Sequence, residues 1–195
     1  MKNSTKTALA LGISAAFAAP LAGAAIVSVD VTGIESWDAA GSPNNTVLSV
    51  DLAAELGLAP GSSVTIDGIG WDVVISSVGA SWLSEMDVNI AVGNPDAITL
   101  GVSGTTGPGT GEANSSSGIV TLADVPLNDI VLSDGILVLE FFESYDDAAD
   151  SIDGIWDSGF IDFRAEATVV PIPAAFPLLL TGLAGLFAAR RRRVS

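Results

Sequence analysis

The chain has 195 residues, with 23 acidic and seven basic side chains and neither histidine nor cysteine. That composition excludes a Ser–His pair, a thiolate nucleophile, a zinc site of the usual ligand types and any disulfide. All 23 acids fall between Ala25 and Val170, where Arg164 is the one basic residue; the middle therefore carries −22 and repels nucleic acid and anionic lipid.

The N-terminus has the form of an export signal. Lys2 and Lys6 precede an apolar stretch, Ala8 to Ala19, and Ala22-Gly23-Ala24 offers small residues for cleavage after Ala24 or Ala25. Residues 1–24 are thus expected to be a signal peptide, helical in its apolar part, and residues 25–169 one exported domain. Without disulfides, hydrophobic burial has to hold that domain together, and its length suffices for one core.

Through the middle, apolar and polar residues alternate with a period of two. Val27, Val29 and Val31 begin the pattern. Leu48, Val50 and Leu52 follow, then Val64 and Ile66, then Trp71, Val73 and Ile75. A turn of helix is expected over Leu52 to Leu58, before Pro60-Gly61. Met86, Val88, Ile90 and Val92 alternate next, then Ile98, Leu100 and Val102, and a further run covers Ile119 to Leu122. Ile136 to Phe142 is more continuously apolar than the other runs, as a central strand would be. The last run sets Ile161, Phe163, Ala165, Ala167 and Val169 against Asp162, Arg164, Glu166 and Thr168.

Gly, Asn, Asp and Pro punctuate these runs, as at Gly41-Ser42-Pro43-Asn44-Asn45 and Gly93-Asn94-Pro95-Asp96. About nine short strands so spaced predict an all-β fold, an antiparallel β-sandwich of jelly-roll-like form. No fixed repeat supports a β-solenoid. Gly101 to Gly118, rich in Gly, Ser and Thr, is expected to be a mobile loop. Its Gly107-Pro108-Gly109-Thr110-Gly111 lacks the Gly-Lys-Ser/Thr ending of a phosphate cradle.

Two constellations have chemistry to offer. The densest acidic patch runs from Glu140 through Glu143, Asp146, Asp147, Asp150 and Asp153 to Asp157. Clustered oxygen ligands suit Ca²⁺, so Asp146, Asp147, Asp150 and Asp153 are candidate ligands, against the alternative of a charged turn that protects a sheet edge. Among the four tryptophans, Trp71 shares the phase of Val73 and Ile75 and is expected in the core. Trp37 and Trp82 adjoin turns and are candidates for stacking on a sugar ring. A two-carboxylate glycosidase is formally open, but no acid pair stands out; the chain is expected to be non-enzymatic.

The C-terminus, residues 170–195, is the most distinctive segment. Val170-Pro171-Ile172-Pro173-Ala174 leads into an uncharged stretch from Ala174 to Ala189, which ends at Arg190, Arg191, Arg192 and Arg193. The two prolines hold the entry extended. A helix over this stretch would span roughly 24 Å at about 1.5 Å per residue, against a hydrocarbon core of about 30 Å. The four arginines favour a cytoplasmic end. An ordinary tail anchor is the simple alternative.

This order of Pro motif, short span and Arg cluster resembles the sorting signal of PEP-CTERM proteins, and most closely the VPLPA-CTERM variant, with Ile172 in the Leu place. The resemblance implies transient residence in the inner membrane and processing at Val170 to Ala174 by an exosortase-type transpeptidase. It also implies a cell-surface or extracellular-matrix destination, often alongside exopolysaccharide in biofilm. The middle is similar to the β-sandwich ectodomains common in that family. Asp153-Gly154-Ile155-Trp156 and Gly159-Phe160-Ile161-Asp162-Phe163 resemble the closing strands of proprotein-convertase P-type jelly rolls.

Overall fold

The computed structural model describes residues 23–147 and 150–168. Eleven strands follow in chain order among them: β1 Ala25–Asp30, β2 Ile34–Ser36, β3 Thr46–Asp51, β4 Val64–Ser77, β5 Met86–Ile90, β6 Ile98–Gly101, β7 Glu112–Ser115, β8 Val120–Thr121, β9 Ile130–Leu132, β10 Ile136–Glu143 and β11 Gly154–Ala167. A helical turn, α1 Leu52–Glu55, starts where Asp51 accepts the Ala54 N–H at 2.9 Å. It lies within the predicted stretch.

The strands form two antiparallel sheets. The larger is built on β1-β11-β4, with β2 beside β11 and with β7, β8 and β9 along the far edge of β4; the smaller runs β3-β10-β5-β6. Their inner faces share one core. Val64, Ile66, Val73, Ile75, Trp156, Ile161 and Phe163 meet Met86, Val88, Ile90, Leu137, Leu139 and Phe141 there. The Phe141 and Trp156 rings join the two faces edge to face, with centroids 5.1 Å apart. The run Ile136 to Phe142, apolar apart from Glu140, is indeed interior, flanked by β3 and β5.

β4 and β11 are each 14 residues long, and they pair along nearly their full length. Each contains one bulge. Arg164 lies opposite Gly68 while Ala165 lies opposite Ile66, which leaves Asp67 as the extra residue in β4; likewise Trp156 faces Ile75 and Ser158 faces Val74, which leaves Asp157 extra in β11. An inserted residue reverses which side chains point inward. Hence Val64 and Ile66 are buried before the β4 bulge, and Ile69, Val73 and Ile75 after it. The two runs read separately from the sequence are one strand whose phase changes at Asp67. Beside the β11 bulge Gly159 has φ +119°, and a Cβ there would stand 2.1 Å from the Asp72 carbonyl oxygen, so only glycine fits.

Three expectations shift in detail. Trp71 is half-buried at the margin of the core rather than inside it. Gly101–Gly118 contains β7, and its backbone is tied to the domain by Ser77 N–H to Gly109 O at 2.9 Å and Leu83 N–H to Gly107 O at 3.0 Å. Its small residues permit that approach, since a Cβ on Gly109 would meet Leu83 Cδ1 at 2.5 Å. Ile119 to Leu122 yields only the two-residue β8, followed by a 3-10 turn. Val169 and the signals at both ends lie outside the described residues. Among the described residues no helix is long and apolar enough to cross a membrane.

Candidate functional site

The charged end of the sandwich lies where β10 finishes and β11 begins. Loop residues 37–45, 78–85, 144–147 and 150–153 converge there. Backbone bonds lace them together: Glu143 N–H to Asp38 O at 3.1 Å, Ser144 N–H to Glu85 O at 2.8 Å, Val78 N–H to Asp153 O at 2.8 Å and Asp153 N–H to Ser36 O at 3.0 Å.

β10 presents a carboxylate to each of its two faces. On the outward face, Glu140 is 6% exposed beneath residues 37–45. It accepts from Gly41 N–H at 2.5 Å, Asn45 Nδ2 at 2.9 Å and Asn89 Nδ2 at 3.2 Å. Burial raises its pKa, but the bonds from Asn45, Gly41 and Asn89 outweigh that and hold it below the ordinary value. Asp38 is similarly satisfied. Ser42 Oγ and Asn44 Nδ2 donate to one oxygen and the Asp150 N–H to the other, and these bonds lower its pKa.

Glu143 shares the inward phase of Leu137, Leu139 and Phe141 and is fully buried. Neither of its carboxylate oxygens has a hydrogen-bond partner. Its Oε1 borders Gly154, where a Cβ would stand 2.7 Å away, and the Met86 methyl group borders the same position at 2.8 Å. Burial pushes the Glu143 pKa up to about 9, helped by the negative charges of Asp153, Glu85, Asp87 and Asp147. Asp87, half-buried on β5, is pushed up to about 6 by burial, with Ser144 opposing.

The four predicted calcium ligands separate here. Asp153 is buried at 2% exposure. Asp146 is half-buried, and its Oδ1 is enclosed without a partner. Asp147 is exposed. Asp150, at φ +62°, turns toward residues 37–45, where its Oδ1 accepts from Asn44 Nδ2 at 2.9 Å. Among the described residues no three Asp or Glu side chains are placed together so as to hold a metal ion without rearranging. Sequence reasoning missed Glu143 as the centre of this end: its even spacing from Leu137, Leu139 and Phe141 puts it on their face, but which face of the run points inward is not legible from alternation.

The two predicted sugar-stacking residues also differ. Trp37 is half-buried, and its indole N–H donates to Glu35 Oε2 at 3.2 Å. Trp82 is 44% exposed and lines an open cavity of about 300 Å³ with Glu85, Tyr145 and Asp147. Tyr145, also exposed, was not singled out from the sequence. The processing motif Val170, Pro171, Ile172, Pro173 and Ala174, and the arginines Arg190 to Arg193, lie outside the described residues.

No family model and no curated protein matches the sequence. Among solved structures, the chain is similar to one from infectious bursal disease virus (Gt strain). Identity is 13% and the TM-score 0.31, over 84% of this chain and 41% of that one. Agreement at that level carries no argument about this chain's role.

Proposed function

We propose that this chain is an exported, non-enzymatic cell-surface or extracellular-matrix protein. Its ectodomain is a jelly-roll-like sandwich, and its tail is a sorting signal of the PEP-CTERM, VPLPA-CTERM type. In this reading an N-terminal signal directs export, and a short C-terminal helix holds the protein briefly in the inner membrane. An exosortase-type transpeptidase then cleaves near Val170 to Ala174. The observation that carries the reading is the order of Pro171 and Pro173, an uncharged stretch too short for comfortable residence, and four consecutive arginines. The absence of histidine and cysteine and the outward acidity of the domain support a structural or binding role.

Mass spectrometry of the protein from its producing cells tests this. Processing predicts loss of Phe176 to Ser195, with any added mass at the new C-terminus reporting the acceptor. A tail that is intact wherever the protein accumulates refutes it.

A second reading is a carbohydrate-binding module, favoured by the pairing of Trp82 and Tyr145 in one open cavity beside Glu85 and Asp147. Aromatic faces supply stacking area, and carboxylates accept from sugar hydroxyls. Retention of the chain on the producing cells' exopolysaccharide, lost in Trp82→Ala, is the expected result; no retention by the unaltered chain counts against it.

A further inference from the structure

We propose that the charged end of the sandwich binds one Ca²⁺, held by Glu143 at the end of β10 and Asp153 at the entry to β11, with Asp147 and Glu85 closing over it from the loops. The ion sits between the two sheets, deeper than a site built from the 144–153 loop alone would be.

Glu143 carries the inference. A buried carboxylate needs donors or a cation, because it accepts hydrogen bonds and offers none when ionised. Glu140 and Asp38, which are also buried at this end, have their oxygens met by amide, hydroxyl or backbone donors. Glu143 has none on either oxygen, although it is 0% exposed. What surrounds it is more negative charge, from Asp153, Glu85, Asp87 and Asp147. Arg164, the lone base of the domain, is engaged with Asp67 at 2.6 Å. Four like charges around an unpartnered carboxylate describe a place for a cation.

The donors are all oxygens and come from two strand ends and two loops. Ca²⁺ accepts six to eight oxygens in adaptable geometry, whereas Mg²⁺ requires a small regular octahedron. Asp147 is exposed and Glu85 uses Oε2 to accept the Trp82 N–H at 2.9 Å, so both have carboxylate capacity to turn toward an ion. Asp150, engaged with Asn44 and Asp38, is left out of the set. Its place is taken by Glu143.

The site is independent of how the tail is processed; it shares Glu85 and Asp147 with the Trp82 cavity, so its test is made without sugar and is carried by Glu143, which does not line that cavity. The full-length chain in mild detergent, stripped with chelator, is titrated with CaCl2 and with MgCl2 by calorimetry and melted with and without each ion. One Ca²⁺ per chain with a Kd on the order of 10⁻⁴ M is expected, with a rise in Tm of about 5 °C at millimolar Ca²⁺ and a much smaller response to Mg²⁺. Glu143→Gln should abolish the Ca²⁺-dependent rise while melting, without metal, at or above the unaltered protein. A role in packing alone would not split the two readings in this way. Asp147→Asn, at an exposed position, should weaken Ca²⁺ about tenfold, and Asp134→Asn at the opposite end of β10 should change nothing. No heat and no Tm rise up to 10 mM Ca²⁺ would overturn the proposal and leave Glu143 a buried neutral acid. So would an undiminished response in Glu143→Gln or, should that variant not fold, in Asp147→Asn.

Discussion

Glu140 and Glu143 stand three residues apart on β10, both nearly or fully buried, and the chain treats them in opposite ways. Glu140 points outward beneath residues 37–45 and collects three donors, two of them from residues about a hundred positions away. Glu143 points inward at the open end of the core and collects none. The first is a fastener, because its charge organises a loop that would otherwise have no reason to close. The second is a vacancy in the hydrogen-bond plan, because its charge is tolerated only as a neutral acid or beside a cation. Burial alone therefore says little about what a carboxylate does. The donors within reach decide it.

The largest effect expected from this contrast is on the pH dependence of stability in the metal-free protein. Folded Glu143 keeps its proton up to about 9, with Asp153, Glu85, Asp87 and Asp147 facing it, whereas the unfolded chain releases it near the ordinary 4.5. Between those values unfolding releases a proton, so raising the pH favours the unfolded state. The contribution is complete below about 4.5 and is lost as pH climbs through about 9. Its slope is about 1.4 kcal/mol per pH unit. From pH 7 to 8.5 Asp87, at about 6, is already largely ionised and contributes little slope. Urea titrations in chelator at pH 7 and 8.5 should show the decline, and Glu143→Gln should flatten it. Equal stability at both pH values in the unaltered chain would mean Glu143 is ionised and solvated, contrary to its burial.

Substituting the other partner should give an effect of a different kind, nearly independent of pH above the carboxyl range. Glu140→Ala strands the Gly41 N–H and the Asn45 and Asn89 amides in a largely closed site. A loss of about 3 kcal/mol is expected, since hydrogen bonds to charged groups are each worth roughly 1.5–3 and the stranded donors partly find water. Because Glu140 is ionised with a lowered pKa, its stabilisation is present above the ordinary carboxyl range and is lost as pH falls through its depressed value. Glu140→Ala should therefore flatten the acid limb of the stability curve, while Glu143→Gln flattens the alkaline one. Hydrogen exchange should show residues 38–46 opening in the first variant and staying protected in the second.

Much of the scaffold behind this contrast could be read from alternation. Val27, Val29 and Val31, or Met86, Val88 and Ile90, declare one buried face each, and both segments take the expected form. The phase changes at Asp67 and Asp157 could not be read, since a bulge has no period of its own and both residues look like ordinary polar strand positions. The acidic density near the end of β10 was legible as well. The division of labour within it was not, because apart from Glu140 the run Ile136 to Phe142 is apolar on both faces and hides which phase points inward. Nor does local sequence disclose that Gly41 and Asn45 fold across the molecule to Glu140. Trp82 and Tyr145 illustrate the same limit, since their meeting depends on two loops from different parts of the chain.

The smallest effect expected is at the β4 bulge, where the domain's single base sits. Arg164 Nε donates to Asp67 Oδ1 at 2.6 Å, and its Nη2 reaches Thr121 Oγ1 at 3.2 Å. Asp67 is the residue inserted into β4, so the pair spans the point where the strand's phase reverses. It looks structurally central. Yet both side chains are about one-third exposed, at 29% and 34%, and water and salt screen the attraction. Arg164→Met keeps most of the aliphatic stem and removes the charge, and should cost no more than about 1 kcal/mol in urea unfolding, less still at 0.5 M NaCl. A larger loss, unchanged by salt, would show that the bulge depends on this pair. Against a domain charge of −22, that would make Arg164 a counterpart to Glu140: a charge kept for the loop or bulge it organises rather than for the energy of its own bond.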